Sequence, residues 1–343
     1  MEKIRVGIIG CGCISVMHLD SAAGLSQAEL VAVCDIKEER AEKAGDKYSV
    51  NYYTDYKEML AIEKLDAVHI CLPHYLHIPV SIYALEHGVH VLCEKPMSIG
   101  YSEAEKTVKL AEKLGLKYGI IFQCRYNTPS IAVKERVVSG KLGKVIDCRV
   151  TLTWSRSDEY YSKSDWKGTW DKEGGGVIID QAIHSLDLAN WFIDDTITAV
   201  SSTLNNRHHK KVVVEDTADG LIEYKNGSKL FFWAHNNYCI DEPIEIRLVC
   251  EHGKATLSYD DCHIKYSDGT EEYIENKPQV EIVYGGGKPY WGTQHAVQIN
   301  NFYNSILGTE ELVISGRTAL KIQKLITDIY NNNDSSLFVS AHT

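Results

Sequence analysis

Val6-Gly-Ile-Ile-Gly10-Cys-Gly12-Cys-Ile-Ser15 is the stretch from which the rest of the chain is read. A mostly apolar run, Ile4 to Ile9, leads straight into Gly10-Cys11-Gly12. A short buried strand entering a tight glycine turn fits this pattern, because glycines let a pyrophosphate approach the backbone N–H groups that open the next helix. Ser15 stands at the third small position, which serves helix–strand packing. A second apolar run, Leu30 to Cys34, ends in Asp35, about where an acid that binds the ribose hydroxyls belongs. A carboxylate there repels a 2′-phosphate, and Ile36 follows with no arginine to hold one, so NAD is favoured over NADP. The alternative for the same residues is an ordinary βαβ unit with a surface aspartate at a strand end.

With 343 residues the chain is long enough for two domains, each with its own core. Charged residues at 24% and hydrophobic ones at 44% are ordinary for a globular protein. A formal net charge of −11 argues against nucleic acid or an anionic membrane as partner. No apolar run reaches the length of a membrane span, and Met1-Glu-Lys-Ile-Arg-Val leads directly into the first strand, so no signal peptide is expected. Five of the ten cysteines, Cys34, Cys71, Cys93, Cys148 and Cys250, sit at or beside the ends of apolar runs. There is no C-x-x-C, so a reducing cytoplasm is expected, with no metal site.

The first third alternates strand and helix, as a parallel sheet requires. Strands are expected at Ala67–Leu72, Val89–Cys93 and Lys117–Phe122, and helices at Lys37–Tyr48, Pro79–Glu86 and Ser102–Leu114, the last with Ser102 as N-cap and Gly115 as its stop. Pro129–Val138 reads as a further helix. From Val145 the pattern changes to long alternating runs, including Thr217–Tyr224, Lys229–Ala234 and Ile244–Cys250, with a hairpin signal at Asn226-Gly227. Glu275 to Tyr290 reads as a loop, and Thr293–Leu307 and Thr318–Tyr330 as closing helices. The expected architecture is an α/β Rossmann domain over residues 1–124, then an α+β domain with an open, mainly antiparallel sheet over 125–343, the closing helix able to pack back on the first.

Two more stretches could carry chemistry. Glu94-Lys95-Pro96 lies at the carboxyl end of an expected parallel strand, the edge where open α/β sheets bind ligands. A lysine there can bind a substrate hydroxyl or exchange its proton; the plain alternative is a surface turn. In Gly174-Gly-Gly-Val-Ile-Ile-Asp180-Gln-Ala-Ile-His184-Ser-Leu-Asp187, a helix starting near Asp180 puts Asp180, His184, Asp187 and Trp191 on one stripe. An aspartate one turn before a histidine orients the ring and raises its basicity. The same stripe also fits the wet face of an amphipathic helix. His-x-x-Asp lacks a third metal ligand at useful spacing.

Taken together, Gly10-x-Gly12, Glu94-Lys95-Pro96 and Gly175-Gly176-x-x-x-Asp180-x-x-x-His184-x-x-Asp187 resemble the glucose–fructose oxidoreductase / inositol dehydrogenase (Gfo/Idh/MocA) family over nearly the whole chain. The resemblance implies bound NAD(P), substrates that are sugars, inositols or their derivatives, and a homodimer or homotetramer formed through the C-terminal sheet. By position it makes Lys95, Asp180 and His184 catalytic. Gly10, Gly12, Cys13, Ile14 and Asp35 would hold the adenosine and pyrophosphate, joined at the cofactor by Cys71, Pro73, His77, Glu94 and Gln123. Arg125 and Asn127 would line the substrate crevice. Ser15, His74 and Ala182 depart from common family residues, and none of these changes removes a functional group.

Trp166 and Trp170, in an aromatic cluster with Trp154, Tyr160 and Tyr161, could stack on sugar faces or fill space beneath a loop; Tyr290-Trp291 adds a late aromatic pair. The favoured reading is an NAD-dependent dehydrogenase of a ring hydroxyl. The rivals are cleavage of a glycosidic or anhydro bond through transient ring oxidation with no net redox, and a non-catalytic NAD sensor.

Overall fold

A computed structural model describes residues 3–258, 261–277, 279–280, 282, 284–285 and 294–334. Tyr290 and Trp291 lie outside them, as does much of the expected 275–290 loop. The chain divides into two compact units, one joining Met1–Gln123 with Pro278–Gln323, the other Cys124–Lys277 with Lys324–Thr343. The first border falls one residue before the expected one, and the first unit also takes a stretch from late in the chain.

In the first unit β1 (Ile4–Ile9), α1 (Ser15–Gly24), β2 (Ala28–Cys34), α2 (Glu38–Tyr48), β3 (Asn51–Tyr53), α3 (Tyr56–Ile62), β4 (Ala67–Ile70), α4 (His74–Glu86), β5 (His90–Cys93), α5 (Tyr101–Leu114) and β6 (Tyr118–Ile120) succeed one another. The strands pair in parallel, in the order β3-β2-β1-β4-β5-β6. Strand order reverses between β1 and β4, which places the glycine turn after β1 at the ligand-binding switch point of such sheets. Strands covered by helices on both faces are mostly apolar, and all four residues of β4, His69 among them, are buried. α2 turns Ala41, Ala44 and Gly45 inward and leaves its charges in water. The late helix α9 (His295–Ile306) completes this core, with Ile299, Phe302 and Tyr303 fully buried beside Ile4, Val6 and Leu19. Each such side chain stabilises the fold by about 1.5–3 kcal/mol.

Two helix starts differ from expectation. α4 begins at His74 and holds Pro79 inside it. Pro73, with extended backbone at φ −55° and ψ 146°, opens the helix, so Pro79 forfeits only its own bond to the Tyr75 carbonyl. α5 starts from Gly100 at φ −143°, which puts Ser102 in the first turn instead of at the cap; Gly115 ends it in the left-handed region, as expected.

In the second unit α6 (Thr128–Val138), β7 (Val145–Thr153), α7 (Asp158–Ser162), a π-helical turn (Val177–Ala182), α8 (Ile183–Ile193), β8 (Ile197–Asn205), β9 (Thr217–Tyr224), β10 (Lys229–His235), β11 (Glu245–Cys250), β12 (Gly253–Ser258), β13 (Asp261–Tyr266) and β14 (Glu271–Glu275) come in turn. Their eight-stranded sheet runs β14-β13-β12-β11-β7-β10-β9-β8, antiparallel except where β10 lies parallel to β7. The β9–β10 hairpin turns at Asn226-Gly227, with Gly227 at φ +87°. Alternation along β10 buries Leu230, Phe232 and Ala234 and exposes Phe231 and Trp233. Helix α10 (Gly316–Asn331) contains the last border between the units. Among the described residues no helix is long and apolar enough to cross a membrane.

Candidate active site

Gly10 sits at φ +97°, and a Cβ there would lie 2.3 Å from the Cys71 carbonyl oxygen. Only glycine lets the turn after β1 pass this close to the end of β4. A Cβ on Gly12, by contrast, would meet nothing within 4 Å. Ile14 caps α1 without a side-chain hydrogen bond, and the first turn contains no acid. The Ser15 and Met17 N–H groups turn back to the Gly12 and Ile14 carbonyls at 3.3 and 3.1 Å, and the positive end of the helix dipole at the loop favours an anion there. Ser15 is buried and donates its hydroxyl to the Gly12 carbonyl at 2.7 Å, pinning the loop. Asp35 accepts from the Cys11 N–H and the Lys37 N–H, each at 2.9 Å, so its carboxylate is fixed at the end of β2. Beside the loop lies a cavity of about 390 Å³, lined by Cys11, Gly12, Cys13 and, from α2, Arg40 and Lys43. An open glycine turn, a helix start with no side-chain cap and a fixed acid fit a dinucleotide: Gly10, Gly12, Cys13 and Ile14 would hold its pyrophosphate and Asp35 its ribose.

The other expected cofactor residues fall on the neighbouring strand ends. Cys71 is buried behind Gly10, where burial pushes its thiol pKa up, and Pro73 caps α4. His77, expected at the cofactor, braces two loops. Its fully buried ring stands between Pro96 O and Leu72 O, each at 2.7 Å, tying the loop after β4 to the Glu94-Lys95-Pro96 turn. Carbonyls only accept, whereas burial lowers the ring's pKa, so the neutral ring donates to one of them at a time. Glu94 is buried, and its Oε2 accepts the Lys95 N–H at 3.2 Å. The Lys95–Pro96 peptide is cis. Gln123 is buried in the 3₁₀ turn Gln123–Tyr126.

Asp180 belongs to the π turn, not to a regular helix beginning at that residue, and α8 starts only at Ile183. Such turns gather at functional sites. Gly176 makes this one possible, since a Cβ would lie 1.9 Å from the Glu215 carbonyl oxygen. The buried Glu215 carboxyl receives the Gly176 and Ile178 N–H groups at 2.9 and 3.1 Å and the Tyr330 hydroxyl at 2.8 Å. Burial pushes its pKa up to about 7 against those three donors. Asp180 Oδ2 accepts from Lys167 Nζ at 2.8 Å, Tyr160 OH at 3.2 Å and Gln181 Nε2 at 2.6 Å. Burial works against the Lys167 charge, but Asp180, Tyr160 and Glu173 outweigh it and hold the amine protonated. Glu173 is raised to about 8, first by burial and then by Asp180. Lys167, Glu173 and Glu215 had no motif to announce them. They are joined to the Asp180 segment only by the folding of separate loops.

α8 is not a wet face: Asp187 and its neighbours are buried, and His184 is half-buried. Arg125, expected at the substrate, is held by a buried acid. Its Nε and an Nη donate to the two oxygens of Asp187 at 2.7 and 2.6 Å, with both side chains almost wholly out of water. Asn127 is 1% exposed, and neither its Nδ2 nor its Oδ1 has a partner among the described residues, as suits a group awaiting a ligand or water. Trp166 carries the Lys167 ammonium 4.7 Å from its ring centre, so one face is taken. Trp170 lies elsewhere, donating to the Val213 carbonyl at 2.9 Å and meeting Tyr330 edge-on beside a cavity of about 260 Å³.

Comparison with known proteins agrees with this arrangement. Residues 4–122 match the family described as oxidoreductase family, NAD-binding Rossmann fold, and residues 131–256 match the GFO/IDH/MocA C-terminal domain. The D-glucoside 3-dehydrogenase of Escherichia coli is 27% identical over 97% of this chain and 96% of its own. The inositol 2-dehydrogenase of Rubrobacter xylanophilus is 31% identical over 58% of this chain and 55% of its own. The WlbA dehydrogenase from Bordetella pertussis, solved in complex with NADH and UDP-GlcNAcA, superposes with a TM-score of 0.83 at 25% identity, covering 98% of both chains. This chain belongs to the Gfo/Idh/MocA family and is an NAD-dependent oxidoreductase acting on CH–OH groups.

Proposed function

We propose that the substrate is a sugar, sugar derivative or cyclitol and that Lys95, Asp180 and His184 carry the reaction at one of its ring hydroxyls. Bound NAD supplies the hydride acceptor. His184 takes the hydroxyl proton, Asp180 orients the imidazole and binds a neighbouring hydroxyl, and Lys95 binds the reacting oxygen. The observation that supports this best is the surroundings of Asp180. Lys167 Nζ at 2.8 Å and the Tyr160 hydroxyl at 3.2 Å both donate to its Oδ2, four residues ahead of His184. A charged aspartate beside an imidazole raises the ring's basicity. Relatives named for glucoside and inositol oxidation, and one solved with a sugar nucleotide, point to the same substrate class. The test is NADH formation across a panel of glucosides, inositols and nucleotide sugars with NAD in excess. Turnover of at least one ring alcohol with stoichiometric NADH is expected. Cleavage of the sugar with no accumulating NADH would contradict it.

The second unit supplies an interface for a homodimer or homotetramer in this reading. Phe231 and Trp233 on β10 and Val249 on β11 are each more than two-fifths exposed, and all lie on the outer face of the sheet. They share that face with Asp147 and Arg149 of the intervening β7, a mixture of aromatic and charged side chains that suits association. Trp233→Lys is expected to shift the protein toward monomer in sedimentation velocity; an unchanged coefficient would argue for another interface. The ten cysteines, all free thiols, support a cytoplasmic location.

A further inference from the structure

The cavity of about 260 Å³ beside Trp170 lies wholly in the second unit, and none of Lys95, Asp180 and His184 lines it. Its walls come from Trp170, from Leu204 and Asn205 at the end of β8, from Val213 and Glu215 ahead of β9, and from Tyr330 of α10.

Three of these walls offer distinct chemistry. Trp170 spends its Nε1–H on the Val213 carbonyl at 2.9 Å, so the indole is held by its polar edge, while 46% of the residue stays exposed. What it offers a ligand is ring carbon. Asn205 Nδ2 is buried and has no hydrogen-bond partner among the described residues. The neighbouring Asn206 differs: its Nδ2 donates to the Val212 and Val214 carbonyls at 2.8 and 3.1 Å. An amide buried without an acceptor is costly, and a ligand in the cavity would complete it. Glu215 is 3% exposed. Its Oε1 accepts from the Ile178 N–H and the Tyr330 hydroxyl, and its Oε2 from the Gly176 N–H. A carboxylate oxygen takes two donors, so Oε2 has a place for one more.

These groups select a class of ligand. No lysine, arginine or histidine lines the cavity and a carboxyl does, so a phosphate or carboxylate would be buried there without a counter-charge. The Trp170 and Tyr330 rings meet at 85° with centres 5.5 Å apart, so they cannot hold a flat base between parallel faces. A puckered ring with C–H groups on one face and hydroxyls around its rim suits all three walls. Its face lies on the indole, one hydroxyl accepts from Asn205 Nδ2, and another donates to Glu215 Oε2.

We propose that this cavity binds a neutral sugar ring, at a site separate from the one where the hydroxyl is oxidised. The proposal does not depend on the roles given to Lys95, Asp180 and His184. The two sites share one part: the Glu215 carboxyl that receives the ligand's hydroxyl also holds the Gly176 and Ile178 N–H groups of the π turn on which Asp180 sits. A free sugar and the further ring of a longer one present the same face and rim.

The test follows the Trp170 indole N–H by nitrogen-15 NMR, assigned among the six tryptophans through Trp170→Phe, with NADH present so that no sugar is oxidised. Methyl β-glucoside is expected to move this resonance saturably. His184→Ala should not change the response, which separates a failure here from a failure of the proposed catalytic residues. Asn205→Leu should weaken the binding by about tenfold, the worth of one hydrogen bond to a buried donor. Glucose 6-phosphate should bind more weakly than the glucoside. Cellobiose distinguishes the sources: tighter binding than the single ring marks the further ring of a longer sugar, whereas equal affinities mark a free one. A Trp170 resonance that no sugar moves, an affinity unchanged in Asn205→Leu, or tighter binding of glucose 6-phosphate overturns the proposal. Should Asn205→Leu not fold, the titrations of the unaltered protein still decide it.

Discussion

His184→Ala is expected to lower kcat by about 10²–10⁴-fold, the range that a positioned proton acceptor contributes. Affinity for NAD, read by fluorescence of the bound dinucleotide, should change little, because the residues that fit the cofactor's phosphates and ribose lie around Gly10, Gly12 and Asp35. Lys95→Met should cause a loss of similar size, since a methionine keeps the stem but cannot donate to the reacting oxygen. Undiminished turnover in both would end the assignment of either residue to the chemistry. Asp180→Asn should fall between them, because the amide still accepts from Lys167 and Tyr160 but no longer carries the charge that raises the imidazole's basicity.

The largest effect on stability is expected at Asp187→Ala. Arg125 and Asp187 form a bidentate pair with side chains 6% and 1% exposed, and the Arg125 guanidinium lies 5.3 Å from the centre of the Trp191 ring. Removing one partner of a buried pair strands the other charge, at a cost of about 3–5 kcal/mol. In a unit of this size that lowers the unfolding midpoint by roughly 6–20 °C. Calorimetry on the pure protein reads it directly, and a midpoint within 2 °C or so of the parent would show that the guanidinium finds another acceptor or reaches water. The double variant Arg125→Leu/Asp187→Leu should be milder than the single one, because no charge is left behind.

What the sequence disclosed was local. The glycine turn, the acid after β2 and the strand–lysine–proline turn can be read within a few residues, because each depends on what its immediate neighbours allow. The π turn was only half legible. The glycines before Asp180 mark a close approach, but the carboxyl they approach belongs to Glu215, 39 residues from Gly176. The partner of Arg125 was illegible for the same reason: Asp187 lies 62 residues away, and nothing in the spacing announces a guanidinium that holds α8. Lys167 sits in an unremarkable loop, and the hydrogen bonds that link Glu94, His18, His69 and Tyr303 join three separate elements to the turn after β5. Helical periodicity also left open a wet face on α8, which the buried Asp187 and its neighbours exclude.

The π turn at Val177–Ala182 has no helix before it and runs directly into α8 at Ile183, with Asp180 in the turn and His184 in the helix. Each residue added or deleted between them turns the carboxylate by about 100° relative to α8. Angular phase between Asp180 and His184 is therefore set by chain length as much as by residue identity. A relative that carries the same two letters but one residue fewer between the glycines and α8 aims its carboxylate at a different sector. Alignments that close such a gap to maximise identity will match residues that do not occupy the same place.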